Sequence, residues 1–287
     1  MVRKMGYETL IMKWNSFEKK KDFVVCVDSD GCAMDTMNIQ HIRCFGPCMI
    51  KEWHLEKWQD AILESWNRVN LYTVTRGINR FKGLAIALKE VNEKYTHIEG
   101  IKEFSDWAEK ADELSNNSIE KKITENEIFA KALSWSIAVN KEIEALPEDD
   151  IKPFEGVKEA LFEIHKHCDV VVVSSANPEA VKAEWKRFGL LDSVDLLCTQ
   201  DMGSKAYCIG RVADKGYDKK KIIMCGDAIG DLDAANSNGV LFYPICVNHE
   251  EASWADFVPN VLPKFLDGSY DGAYQEKVKK DFLDNLR

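Results

Sequence analysis

No apolar run in the 287 residues approaches the length a membrane-spanning helix needs. The opening stretch, MVRKMGYETLIMKWNSFEKKKDF, lacks a sustained apolar h-region and a small-residue cleavage site. Export is therefore not expected, and a cytoplasmic location is. Internal repeats and low-complexity segments are missing as well, so neither a repeat array nor a disordered tract is expected. Basic residues are outnumbered, 38 Lys and Arg against 48 Asp and Glu, for a net charge of −10. That balance disfavours nucleic acid as a partner, and any anionic substrate must be drawn by a local positive site. A disulfide framework is absent too. The nine cysteines are scattered and read as reduced thiols. Their closest grouping, CFGPC with Cys44 and Cys48, has no second pair and no nearby histidine pair, so it reads as buried thiols rather than a metal or redox site.

What is present is a foldable, charged chain. Apolar residues make up 45% and charged residues 30%, enough for a core and too ordered a composition for a disordered chain. The length suits one large or two modest domains, and a monomer or homodimer is expected. Residues 23–31 read FVVCVDSDG, an apolar run that ends in Asp28, Asp30 and Gly31. In a strand, residues two apart point the same way, so two carboxylates placed so repel unless a cation sits with them. The alternative is a surface turn, for which Asp-Gly is a common signal. Three further runs repeat the pattern: DVVVVSS (169–175) ends in Ser174 and Ser175, KIIMCGD (221–227) ends in Asp227, and VDLLCTQDMGSK (194–205) is a short strand before a loop with Lys205. A fifth, VLFYPICV (240–247), has no charged terminus. Apolar runs without alternation suit parallel strands buried on both faces. Helical segments lie between them, at 153–167 and 178–190. This alternation predicts an α/β, doubly wound, Rossmann-like parallel sheet, whose ligands sit beyond the carboxyl ends of the strands. Every polar terminus named above falls on that one edge.

Residues 36–150 differ. They contain no convincing strand and several amphipathic helices, one with Trp58, Ile62, Trp66 and Val69 on a stripe and another with Ile128, Ala132, Trp135, Val139 and Ile143. Tryptophans at that spacing are most simply core. The pattern predicts an all-helical domain over 36–150, inserted into an α/β domain made of 1–35 and 151–287. The acidic ALPEDDIKPFEG suits the returning hinge.

The motif DSDGCAMD (28–35) resembles the first motif of the haloacid dehalogenase superfamily, which in its phosphatase branch runs Asp-x-Asp-Gly-Thr-(Leu/Val)-x-Asp. Ser174 resembles the second motif, Lys205 the third, and GDAIGD (226–231) matches the fourth, Gly-Asp-x-x-x-Asp. The likeness covers roughly residues 22–35 and 150–250, in the right order, and a helical insert after the first motif is what many members carry as a cap. Departures are Cys32 for the usual Thr, Ala33 for the following aliphatic, and Ser-Ser-Ala-Asn in the second motif, which leaves Ser174 and Ser175 both open, with strand phase favouring Ser174.

The resemblance implies a magnesium-dependent phosphatase of a small phosphorylated metabolite. Asp28 would be the nucleophile and Asp30 the acid–base group. Asp28, the carbonyl of Asp30, Asp227 and Asp231 would hold Mg2+, and Ser174, Ser175 and Lys205 would bind the phosphoryl oxygens. A sugar phosphomutase would use the same core residues, and a phosphonate hydrolase would add a cap lysine. A dehalogenase would need neither the second aspartate nor magnesium. A non-catalytic sensor would have lost Asp28 or Asp30. Within the insert, TRGINRFKG (75–83) places Arg76, Arg80 and Lys82 in or beside an interhelical loop. They read either as a lid that meets an anionic end of the substrate or as a solvated loop that starts a helix. His41 and Arg43 compete for the same role.

Overall fold

Val24, Val25, Cys26 and Val27 are all fully buried, as an apolar run covered on both faces requires. They belong to β1 (Phe23–Val27), the central strand of a sheet completed by β2 (Cys168–Val173), β3 (Leu196–Cys198), β4 (Ile222–Gly226) and β5 (Leu241–Pro244). The computed structural model describes residues 14–287. It divides into two units, one formed by the residues up to Thr36 with Ile151–Arg287, the other by Met37–Asp150.

In the first unit the strands run in the order β3-β2-β1-β4-β5 and all pairings are parallel. Val25 faces Val170 on one side and Ile223 on the other. One face of the sheet packs Val25, Val170, Val172, Ile223 and Cys225 against Trp185, Trp254, Phe257 and Phe265. The chain steps from β1 out to β3 and then returns to place β4 on the other side of β1. The reversal opens a crevice beyond the carboxyl ends of β1 and β4, where sheets of this kind bind ligands. Two expected boundaries shift. The strand expected over 240–247 is confined to Leu241–Pro244, with one further bond from Ile245 N to Gly226 O at 2.9 Å. The helix expected from 153 begins at Val157, because the residues before it are held extended. Met34 bridges Pro153, Asp35 N donates to Lys152 O at 2.8 Å, and Phe154 N donates to Ala33 O at 3.1 Å.

The second unit is helical, with no strand among its described residues. Ile62, Trp66 and Val69 are buried on the Gln59–Leu71 helix, and Ile128, Ala132, Trp135 and Val139 on the Glu127–Glu144 helix. Trp66 and Trp135 meet edge to face at 6.1 Å, and Phe81 and Phe45 pack against Trp135 in the same way. The expected stripes are therefore core, with Trp58 and Ile143 at its half-buried margin.

Candidate active site

β1 delivers Asp28 and β4 delivers Asp227 to the crevice, and both are almost wholly buried. Asp231 follows in the first turn of the Ile229–Asn238 helix, where its Oδ2 accepts a hydrogen bond from Ala228 N at 3.1 Å. A carboxylate suits that position because the first-turn amides lack helical partners. Carboxylate oxygens of Asp28, Asp227 and Asp231 all lie within 4.8 Å of one another. Gly226 makes this approach possible: a Cβ there would meet Asp231 Cβ at 2.3 Å.

Lys205 supplies the opposing charge. Its Nζ donates to Asp28 Oδ2 at 2.7 Å and to Asp231 Oδ1 at 2.6 Å. Lys205 is the first residue of the Lys205–Ala213 helix, not part of a loop as expected. Ser204 caps that helix by accepting from Tyr207 N. Burial works against the lysine's charge, but the Asp231 and Asp28 carboxylates outweigh it and hold the ammonium protonated. Burial, countered in part by Lys205 and reinforced by the neighbouring acids, raises Asp28 well above the usual carboxylate range and also raises Asp231.

The turn after β1 is built tightly. Gly31 takes φ 77, a left-handed conformation that glycine adopts without strain, and its N–H donates to Met34 O at 2.8 Å. Asp30 accepts a hydrogen bond from the buried Thr36 hydroxyl. Burial raises the Asp30 carboxyl, against the Thr36 hydrogen bond and the Lys205 charge, which lower it. Two indoles pin the turn. Trp185 Nε1 donates to Ser29 Oγ at 2.9 Å, and Trp254 Nε1 donates to Cys32 O at 2.8 Å. Sequence reading missed Thr36, Trp185 and Trp254. Thr36 stands one residue past the first motif and could have been noticed, whereas the tryptophans lie more than a hundred residues away and carry no local signal.

At the end of β2, Ser174 is buried and Ser175 is exposed. Ser174 N donates to Cys198 O at 2.9 Å, and its Oγ accepts from Ala176 N at 3.1 Å. Strand phase turns Ser174 to the protein and Ser175 to water.

The basic residues singled out in the insert lie within the helical unit. Arg43 is exposed and pairs with Asp150 at 2.6 Å. Arg76 is buried and donates to Leu71 O at 2.8 Å, so the solvated-loop expectation does not describe it. Arg80 opens the Arg80–Lys94 helix, Lys82 on that helix is exposed, and His41 stacks on Phe45.

The model of the haloacid dehalogenase-like hydrolases matches residues 102–245, half of the chain. The chain belongs to the haloacid dehalogenase-like hydrolase family. The matched span holds Ser174, Lys205, Asp227 and Asp231, while Asp28 and Asp30 lie before it. Among solved structures, a haloacid dehalogenase-like family hydrolase from Streptococcus pneumoniae superposes with a TM-score of 0.51 at 13% identity, covering 83% of this chain and 91% of its own. That likeness concerns the fold. A family hydrolase from Xanthomonas campestris gives a TM-score of 0.49 at 11% identity, covering 90% of this chain and 100% of its own. No curated protein matches the chain by sequence. No helix among the described residues is long and apolar enough to cross a membrane.

Proposed function

We propose that this haloacid dehalogenase-like hydrolase cleaves the phosphate monoester of a small metabolite with the help of Mg2+, through an aspartyl-phosphate formed on Asp28. The observation that carries this reading is the buried triad of Asp28, Asp227 and Asp231, with oxygens within 4.8 Å of one another and Lys205 bridging two of its members. An all-oxygen set of that charge fits a hard divalent cation. Asp28, Asp227 and the backbone carbonyl of Asp30 would hold the ion, with Asp231 beside them. When bound, Mg2+ neutralises negative charge on the phosphate and on the acids.

Asp28 attacks phosphorus as the P–O bond to the leaving group breaks. Asp30 gives its proton to that departing oxygen, a role suited to a carboxyl that burial keeps protonated to higher pH. The Thr36 hydroxyl orients it. Asp30 then takes a proton from the water that attacks the aspartyl-phosphate, which frees Asp28 and inorganic phosphate. Lys205, held charged, and Ser174 bind the oxygens of the transferring phosphoryl group. Ser175, being exposed, is left out of that role.

Phosphate release from a panel of phosphorylated metabolites tests the reading. Asp28→Asn is expected to abolish turnover, since an amide cannot act as the carboxylate nucleophile. Asp30→Ala is expected to lower kcat by about 10²–10⁴-fold, and chelation of divalent ions to stop the reaction until Mg2+ is restored. Wild-type phosphate release by Asp28→Asn would refute the mechanism. Isomer formation, followed in the same assays, separates hydrolysis from sugar phosphomutase chemistry on the same core residues.

A further inference from the structure

Arg80 is a half-buried guanidinium whose described partners are all neutral. Its Nη1 donates to Ser136 Oγ at 3.0 Å, to Ser136 O at 3.3 Å and to Asn140 Oδ1 at 2.7 Å. No carboxylate stands within ion-pairing distance of it among the described residues, in a chain where acids outnumber bases 48 to 38. A charge withdrawn from water without a counter-ion is costly. A second unmet group borders the same Phe45 ring. His41 Nδ1 is buried with no hydrogen-bond partner, and the ring stacks on Phe45 with centroids 4.5 Å apart. The Arg80 guanidinium lies over that Phe45 ring as well, 5.0 Å from its centroid. Arg76 adds a further positive charge: burial foremost, then Arg76 and Arg80, push the His41 imidazole down to about 3, so the ring stays neutral.

Backbone geometry sets this cluster apart from ordinary core. His41–Phe45 is a π-helical turn set between the Met37–Gln40 and Gly46–Glu52 helices. Such turns widen a helix at an energetic cost and recur at functional sites. Here the turn carries both His41 and Phe45.

We infer that the helical unit holds an oxyanion site in which the guanidinium of Arg80 and the His41 imidazole bind a carboxylate or phosphate group. A neutral imidazole donates one N–H, and Arg80 keeps Nε and Nη2 for the charge-assisted bonds that bind such groups. The anion is either part of the hydrolysed substrate or a separate effector.

Sulfate, which no hydrolase consumes, is the probe, titrated against the full chain at constant ionic strength set with chloride. Trp66 lies 5.8 Å from His41, so indole fluorescence reports binding, and the ring shifts of His41 report it by NMR in the unmutated protein. A saturable change is expected, with the dissociation constant raised on the order of ten-fold or more in Arg80→Gln and partly restored in Arg80→Lys. Lys82→Gln removes the same charge from an exposed position of the same helix and should leave the constant within about two-fold. Absence of a saturable His41 shift, or equal affinity in wild type and Arg80→Gln, overturns the site. Because these readouts need no turnover, they stand whether or not phosphatase activity is found. Kinetics then separate the two sources. Competition by sulfate, with faster hydrolysis of monoesters ending in carboxylate than of matched carboxamides, assigns the anion to the substrate. A non-competitive change in rate assigns it to an effector.

Discussion

Glu184 stands half-buried on the Pro178–Arg187 helix, one residue before the indole that holds Ser29. Burial, and then the negative charge of Asp30, raise its carboxyl to about 7. The unfolded chain releases that proton near the ordinary glutamate value, so between about 4.5 and 7 the folded state binds more protons than the unfolded one. Stability from this residue is therefore full below that window and lost as pH rises through it. Glu184→Gln should raise stability at pH 8 by on the order of 1–2 kcal/mol, after allowance for the water that screens a half-buried site, and change nothing at pH 4. Urea midpoints at the two pH values check this, and an equal shift at both would count against it. None of this was readable from the chain, because Glu184 is one acid among many until the helix sets it beside Asp30.

At the scale of elements, the site depends on what lies just past the strand ends. β4 closes on Gly226, and the next helix turns Asp231 back over it. In Gly226→Ala the new methyl would stand 2.5 Å from Asp231 Oδ2, so the carboxylate must leave its bonds to Lys205 and Ala228. We expect a loss of about 1–3 kcal/mol in stability and a weakened response to Mg2+. Unfolding midpoints with and without Mg2+ measure both effects, and an unchanged midpoint with normal Mg2+ response would show that Asp231 has room to relax. Lys205 makes the complementary point. Its helix begins at the lysine itself, which fixes the Cα and lets only the side chain adjust to Asp28 and Asp231.

For the whole molecule, the acid cluster is a charge problem that the proposed metal would relieve. Three buried aspartates face one lysine, in a chain that is already at −10. A ligand that binds only the folded form stabilises it by about 2.7 kcal/mol at a hundred times its dissociation constant. Mg2+ should therefore raise the melting temperature. Asp28 and Asp231 are raised by burial and must lose their protons to bind, so the increment should grow with pH and vanish in acid. Thermal scans with and without Mg2+ from pH 5 to 8, on wild type and Asp227→Asn, test this. An increment independent of pH, or intact in the variant, would argue against the triad as the binding site.

Local chemistry by itself determined a good deal. Unbroken β-branched runs can be satisfied only by strands covered on both faces, so β1, β2 and β4 were legible with the polar residues that end them. Tryptophans at helical spacing announced the stripes that pack around Trp66 and Trp135. Lys205 was legible as a residue type, although its place at a helix start was not. The tertiary structure decided what depends on residues distant in the chain. It separated buried Ser174 from exposed Ser175, brought Trp185 and Trp254 onto the turn after β1, and buried Arg76 where the sequence left a loop open. It also placed His41 and Arg80 on one phenylalanine ring through a π turn that no side-chain pattern encodes. Periodicity and composition report on backbone and burial over a few residues. Partners far apart in sequence are chosen only when sheet order and helix packing bring them together.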